Sequence, residues 1–217
     1  MGHHTNLPFH LYVNVNNKFL GPNMPVGVTT GIWHGVYARE HQTLMCHALL
    51  KSGAHWSGMP LHGPPGNGKT NFIRHLARKY SLPIYVIYFS PDYSNLDIAR
   101  MFSEVPRRCI VLFEDFDNYF NGRECTMKND QVKFTFDSII NALDGVHNDY
   151  RGVVFSMTVN NIDRIDTSLK CRPSRFKFVR EFGNPNSRLR ARILRSTEAA
   201  EATEGLSLDE VFNRRAA

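Results

Sequence analysis

Residues 63–70 read GPPGNGKT. This stretch fits the pattern GxxxxGK[ST], in which the backbone N–H groups of a glycine-rich loop surround a phosphate at the start of a helix. Glycines are needed because side chains would block the approach of the phosphate oxygens. We expect Lys69 to reach the β- and γ-phosphates of a nucleotide and the Thr70 hydroxyl to bind Mg²⁺. The residues expected to bind the nucleotide are Gly63, Pro64, Pro65, Gly66, Asn67, Gly68, Lys69 and Thr70.

Outward from this loop, apolar runs alternate with segments of helical periodicity. The predicted strands are Met59–His62, Leu82–Phe89, Arg108–Phe113, Val153–Val159 and Arg175–Val179. The predicted helices are 70–80, Asn95–Phe102, Gln131–Val146 and Ile162–Leu169, with an earlier one at Ala38–Ser52. Residues 11–20 are typical of a short hairpin, and Glu198–Gly205 has the weak patterning of a flexible segment. The alternation predicts an α/β fold around a mostly parallel sheet.

Two adjacent carboxylates follow the apolar run in IVLFEDFD, residues 110–117. The carboxyl ends of parallel strands meet at one edge of a sheet, so Glu114 and Asp115 are expected beside the glycine-rich loop. There one carboxylate can support the Mg²⁺ shell, while the other orients or deprotonates the attacking water. The residues alone leave open which carboxylate has which role.

Polar residues also follow the next predicted strand, where VVFSMTVNN places Thr158, Asn160 and Asn161. An amide at this point can hold a water near the γ-phosphate, although such residues also cap helices. Farther on, Arg172 and Arg175 frame the tetrapeptide RPSR. Guanidinium groups suit the charge that develops on a transferring phosphoryl group, in the same chain or from a neighbouring one.

Composition limits the classes of protein to consider. With 217 residues, 42% hydrophobic and 21% charged, the chain has the composition of a globular domain, and its apolar runs are far shorter than a membrane span of about 20 residues. The opening MGHHTNLPFH has no features of a targeting signal, so we expect an intracellular, soluble, cytoplasmic protein without a membrane span. Residues 171–195 hold eight basic residues and one acidic residue, a cluster that could meet nucleic acid, an acidic membrane surface or a neighbour's nucleotide.

In this order, these elements resemble the AAA family of ATPases. Within the family they resemble most the subgroup typified by the ATPase that assembles the cytochrome bc complex of mitochondria. The resemblance covers about residues 53–194 and is most specific over 82–117. It rests on GPPGNGKT, LPIYVIYFSPDYSNLDIARMFSEVPRRCIVLFEDFD, FDSIINALDGV, FSMTVNN with IDRID, and RPSR.

The resemblance implies roles at the matching positions. Glu114 would serve the metal together with Thr70, and Asp115 would be the catalytic base, in an order reversed from the usual Asp-Glu of AAA proteins. Asn160 matches the polar sensor residue, while Arg172 and Arg175 match arginine fingers that enter the adjacent subunit's site. The Lys170-Cys171 insertion and Ser174 depart from the usual finger motif.

The resemblance also implies a P-loop NTPase three-layer sandwich with a mostly parallel five-stranded sheet and a short C-terminal helical lid. The expected organisation is an N-terminal segment at 1–35, an ATPase core at 36–182 and a shortened lid at 183–217. Tyr93, Tyr119 and Phe120 are candidates for aromatic residues facing a central pore.

The function implied is hydrolysis of ATP with Mg²⁺ in a homo-oligomeric ring that remodels a protein client. The alternatives are a nucleic-acid-associated ATPase or loader, which we do not favour, and a nucleotide-gated scaffold with little hydrolysis. A small-molecule kinase is more distant, because it would not need Asn160 or RPSR at these places.

Overall fold

The computed structural model describes residues 10–12, 57–80, 82–127, 132–144, 150, 152–170, 176 and 179–216. The strands in this part are β1 His10–Tyr12, β2 Ser57–His62, β3 Ile84–Ile87, β4 Ile110–Phe113, β5 Phe120–Asn121, β6 Glu124–Cys125, β7 Val154–Val159 and β8 Arg180–Glu181. The α-helices are α1 Lys69–Tyr80, α2 Asn95–Ser103, α3 Phe136–Leu143, α4 Thr167–Lys170, α5 Ser187–Leu194, α6 Thr197–Glu201 and α7 Leu208–Ala216. Two 3-10 helices lie at Phe116–Asn118 and Ile162–Arg164.

The described strands form one six-stranded sheet in the order β1-β3-β4-β7-β2-β8, with β5 and β6 as a separate pair. Strands β3, β4, β7, β2 and β8 pair in parallel, which confirms the predicted parallel five-stranded sheet. The sixth strand, β1, pairs antiparallel with β3 at the edge. Strand β7 lies between β2 and β4, the strand that the two acids follow, and all three run in parallel, so their carboxyl ends meet at one edge of the sheet.

Successive residues of β4 contribute to different cores, because strand side chains alternate between the two faces of a sheet. Val111 and Phe113 join the core beneath α2 and α3, which is rich in aromatic rings. Ile110 and Leu112 join the core beneath α1, to which α5 and α7 also contribute. The sheet therefore lies between two helical layers, as predicted for a P-loop α/β sandwich.

Several boundaries differ from the sequence prediction. The predicted helix Ile162–Leu169 is wrong as one element, because Ile165 leaves the 3-10 turn to form a bridge with Gly122 before α4 begins. The stretch predicted to be flexible, Glu198–Gly205, is also corrected, since it contains most of α6.

The last parallel strand, β8, begins at Arg180, later than predicted, while Phe176 forms a single bridge with Gly58. The helix predicted at 38–52 and all of the hairpin at 11–20 beyond β1 lie outside the described residues. Within the described part of the chain, no helix is long and apolar enough to cross a membrane.

Candidate nucleotide site

The glycine-rich loop joins the carboxyl end of β2 to the first turn of α1. Gly63, Gly66 and Gly68 have backbone φ angles of 131°, 76° and 83°, in the region that only glycine adopts readily. A Cβ at Gly63 would also collide with the carbonyl of Phe182 at the end of β8. The loop conformation thus depends on these three glycines, of which Gly63 and Gly68 are the two that the motif specifies.

Lys69 begins α1, and its ammonium group is buried inside the loop, with only 7% of the residue exposed. Its Nζ donates hydrogen bonds to Gly63 O at 2.6 Å, Pro64 O at 3.0 Å and Asn160 Oδ1 at 3.0 Å. Burial lowers the pKa of Lys69 because it removes water from the charged form, while the carboxylates of Asp115 and Asp117 act in the opposite direction. The loop therefore holds the Lys69 ammonium group at the edge of the sheet, beside Asn160.

The two adjacent acids follow β4 and are held differently. Asp115 is exposed and has a left-handed backbone with φ of 46°, and its N–H donates to Thr158 Oγ1 on β7 at 2.9 Å. Glu114 is partly buried, and its Oε2 lies 3.5 Å from the Tyr88 hydroxyl. The pKa of Tyr88 is raised by burial and by the nearby Glu114 carboxylate.

Asn160 and Asn161, which follow β7, make different side-chain contacts. Asn160 directs its amide oxygen to Lys69, whereas the Asn161 side chain accepts from the Asp163 N–H at 2.9 Å and caps the 3-10 turn. Both backbone N–H groups donate to Oδ2 of Asp117, each at 3.0 Å. The structure thus brings Asn160 to the loop, as its place at a strand end predicted.

The other face of the loop contacts the C-terminal helices. Asn67 is buried, and its Nδ2 donates to Phe182 O at 3.2 Å and to Asn184 Oδ1 at 2.8 Å. Its Oδ1 accepts from the N–H of Leu208, the first residue of α7, at 2.8 Å. The next N–H of α7, from Asp209, donates to Gly66 O at 3.0 Å. The Asn67 side chain therefore joins the loop to the C-terminal segment, and the sequence motif does not predict this contact.

Some predicted site residues have no structural description. Arg172 and Arg175 lie outside the described residues, so their role as arginine fingers stays a prediction. Thr70 follows Lys69 in the first turn of α1 and is partly buried. Sequence reasoning assigned no role to Asp117, although this third acid stands in the quoted IVLFEDFD, and it left Thr158 unassigned.

The three aromatic residues considered for a pore differ in burial. Phe120 is only 1% exposed and packs among other rings of the aromatic core, so the idea that it faces a pore is wrong for this chain. Tyr119 is partly buried, with its ring 5.3 Å from that of Phe89 in an edge-on arrangement. Tyr93 is partly buried against the same core.

The described arginines of the basic cluster at residues 171–195 also differ in exposure. Arg190 is buried and donates from Nε to Ala200 O at 2.8 Å and from Nη1 to Pro185 O at 2.7 Å. It therefore joins α5 to α6 and is not available to an external phosphate. Arg188, Arg192 and Arg195 are exposed.

The residues fit a nucleotide with its magnesium ion. The positive-φ glycines form a cradle that side chains would fill, Lys69 is a buried cation within it, and hydroxyl and carboxylate oxygens of the kind that Mg²⁺ prefers stand at Thr70 and Glu114. A phosphate loop after β2, acids after β4 and an amide after β7 define a P-loop nucleotide-binding domain.

Comparison with known proteins agrees with this class. The model of the ATPase family associated with various cellular activities (AAA) matches residues 59–184, more than half of the chain. The chain belongs to the AAA family.

Curated relatives include chaperones of mitochondria. The chain is 36% identical over 132 residues to the probable mitochondrial chaperone bcs1 of Schizosaccharomyces pombe, covering 58% of this chain and 28% of the relative. It is 37% identical over 125 residues to the human mitochondrial chaperone BCS1, covering 54% of this chain and 29% of the relative. Identity is 26% over 148 residues to the ATP-dependent zinc metalloprotease FtsH of Lachnoclostridium phytofermentans, covering 64% of this chain and 25% of the relative. The chain thus spans less than a third of the length of these relatives.

Proposed function

We propose that this chain is a Mg²⁺-dependent ATPase that works in a homo-oligomeric ring and uses hydrolysis to remodel a protein client. The observation that carries the catalytic part is the meeting of Lys69 with Asn160, beside Asp115, at one edge of the sheet. The presence of mitochondrial chaperones among the relatives supports a protein client. The cytoplasmic location expected from the sequence stays a prediction.

The phosphates of ATP are bound by the loop through backbone N–H groups and the Lys69 ammonium. Thr70 and Glu114 hold the Mg²⁺, which supplies charge neutralisation on the phosphate oxygens when bound. Asn160 positions the attacking water through its amide. Arg172 and Arg175 act on the nucleotide of the neighbouring subunit, where a guanidinium group stabilises the charge that develops in the transition state.

Asp115 is the favoured general base. Its carboxylate raises the pKa of Lys69, which supports a place near the phosphate loop, and its backbone N–H donates to Thr158 on β7. The contact of Glu114 with Tyr88 leaves that carboxylate toward β3, in a position suited to support the metal. The first acid therefore still supports the metal and the second acts as the base, although the usual order of residue types, Asp-Glu, is reversed.

Turnover of ATP as a function of protein concentration, with Mg²⁺ present, tests the whole proposal. Specific activity should rise with concentration, because Arg172 and Arg175 complete the site of a neighbour. Tight ATP binding without turnover at any concentration would instead support the nucleotide-gated scaffold. Salt-sensitive binding of labelled DNA, lost when exposed Arg188 and Arg192 are replaced, would support the nucleic-acid-associated alternative.

Asp115→Asn tests the base assignment. The variant should bind ATP with nearly unchanged affinity and hydrolyse it about 100-fold more slowly, because an amide cannot take a proton from water. Single-turnover hydrolysis and nucleotide titration measure the two effects separately, with exposed Asp92→Asn as the control. Unchanged turnover in Asp115→Asn together with loss in Glu114→Gln would move the base to Glu114.

A further inference from the structure

Asp117 is a buried carboxylate to which the proposed catalytic steps give no role. It lies in the 3-10 turn after the acidic pair and is 3% exposed. Its Oδ2 accepts two backbone hydrogen bonds, while its Oδ1 is buried and has no hydrogen-bond partner within the described residues. A buried carboxylate is costly unless its oxygens are paired, so this arrangement is unusual for a residue that serves only the fold.

The two bonds to Oδ2 come from consecutive backbone groups, the N–H of Asn160 and that of Asn161. One carboxylate oxygen that accepts from both restricts the orientation of the peptide between these residues. Bonds to a charged acceptor are stronger than those to a neutral one, so the restriction is firm. Asp117 therefore fixes the backbone from which the Asn160 side chain extends.

The Asn160 side chain in turn contacts the loop, since its Oδ1 accepts from Lys69 Nζ at 3.0 Å. A continuous path of hydrogen bonds thus runs from the turn after β4, through the end of β7, to the phosphate loop. The Asp117 carboxylate also acts to raise the pKa of Lys69, against the lowering caused by burial. A second tie, from the Asp115 N–H to Thr158, joins the same turn to β7.

We propose that Asp117 is a positioning residue that sets the place of the Asn160 amide relative to the phosphate loop, so that the turn carrying the proposed base also aligns the residue that holds the attacking water. This inference rests on the proposed ATPase function. It differs from a purely structural role, because loss of Asp117 should affect hydrolysis through Asn160 and leave nucleotide affinity largely intact.

Asp117→Asn is the informative substitution, because it keeps the size of the side chain and one acceptor oxygen while it removes the charge. The matched control is Asp163→Asn, an exposed acid in the neighbouring 3-10 turn. We expect kcat for ATP to fall by about 10- to 100-fold in Asp117→Asn, since small displacements of positioning groups have effects of this size. KM should change by less than about threefold, and the control should retain wild-type values.

A double-mutant cycle with Asn160→Ala tests whether the two residues act as one unit. If Asp117 works through Asn160, the double variant should be about as slow as Asn160→Ala alone. Losses of kcat that multiply would overturn the proposal, because they would mean that Asp117 acts independently of Asn160.

Amide NMR spectra provide a readout that does not depend on turnover. In the wild-type chain, the amide protons of Asn160 and Asn161 should resonate downfield and exchange slowly, because both donate to a carboxylate. Both should move upfield in Asp117→Asn and stay in place in Asp163→Asn. Rapidly exchanging, unshifted wild-type amides would overturn the proposal even if Asp117→Asn failed to fold.

The outcomes also separate this inference from the proposed function. A wild-type chain that shows no turnover refutes the ATPase proposal and leaves the amide measurement to judge the Asp117 contacts. A wild-type chain with turnover, together with an Asp117→Asn variant of equal kcat, refutes the positioning role alone.

Discussion

Two sets of hydrogen bonds leave the phosphate loop in opposite directions, and their chemistry differs. The inner contacts, toward the sheet, link Lys69 to Asn160 and onward to Asp117. The outer contacts, toward the C-terminal helices, run from Gly66 and Asn67 to Asn184, Leu208 and Asp209. Charged groups take part in the inner contacts, whereas the outer contacts use only neutral amides and backbone groups.

The difference indicates that the two sets of contacts have different roles. The charged groups lie at the edge of the sheet where the proposed function places the phosphates and the attacking water, although their burial is costly. Neutral hydrogen bonds on the other side hold the loop to α7. This helix contributes Leu208 and Val211 to the core beneath α1. The inner contacts should therefore govern nucleotide chemistry, and the outer contacts should govern stability.

Lys69→Ala breaks the inner contacts and should have the largest effect. Loss of the ammonium removes charge-assisted bonds to phosphate, so ATP affinity should fall by about 100-fold or more. Calorimetric titration with ATP measures the change, and Arg78→Ala, an exposed position on the same helix, is the control. Near-normal affinity in Lys69→Ala would refute the assignment of the loop.

Asn67→Ala breaks the outer contacts at their centre. It removes the hydrogen bonds that Asn67 makes with the Leu208 N–H and the Phe182 carbonyl, so the free energy of unfolding should fall by about 2 kcal/mol. Urea denaturation measures this loss, with Asn141→Ala, exposed on α3, as the control. ATP affinity should fall far less than in Lys69→Ala. A larger effect on affinity than on stability would show that the two sets of contacts are not separable.

Ser207→Ala sharpens the comparison at the edge of the outer contacts. The Ser207 and Glu210 side chains form a reciprocal cap at the start of α7, with the Ser207 N–H and hydroxyl each 2.7 Å from Glu210 Oε2. Removing the hydroxyl should lower the free energy of unfolding by about 1 kcal/mol. Hydrogen exchange in the first turn of α7 should accelerate, whereas Ser187→Ala on α5 should leave it unchanged. No change in that turn would mean that contacts to the loop alone hold α7 in place.

The parallel sheet was predictable because its central strands β4 and β7 are wholly or mostly apolar. All four residues of β4 and all six of β7 are buried, which is the environment that such runs indicate. The helix predicted over Ile162–Leu169 failed because helical spacing says nothing about a bridge to Gly122, a partner distant in the sequence. Local periodicity identifies elements, while long-range pairing decides where they end.

The same limit applies to the site. The approach of Lys69 to Asn160 could be predicted, because both residues follow parallel strands at one edge of the sheet. The burial of Asp117 could not, since acids are usually exposed and only the fold shows which one is enclosed. The motif GPPGNGKT identifies Asn67 as a loop residue, but its side-chain partners lie more than 110 residues away.

The hydrogen-bond partners of the loop are synthesised at different times. Asn160 emerges 91 residues after Lys69, whereas Leu208 emerges 141 residues after Asn67. At ribosomal speeds of about 5–20 residues per second, the second interval is on the order of 10 seconds. Throughout that time the Gly66 carbonyl lacks Asp209, whereas the Asn67 side chain gains Phe182 and Asn184 earlier, 115 and 117 residues after its own synthesis. A nascent chain therefore contains the inner partner of the loop, Asn160, before it contains all of the outer partners.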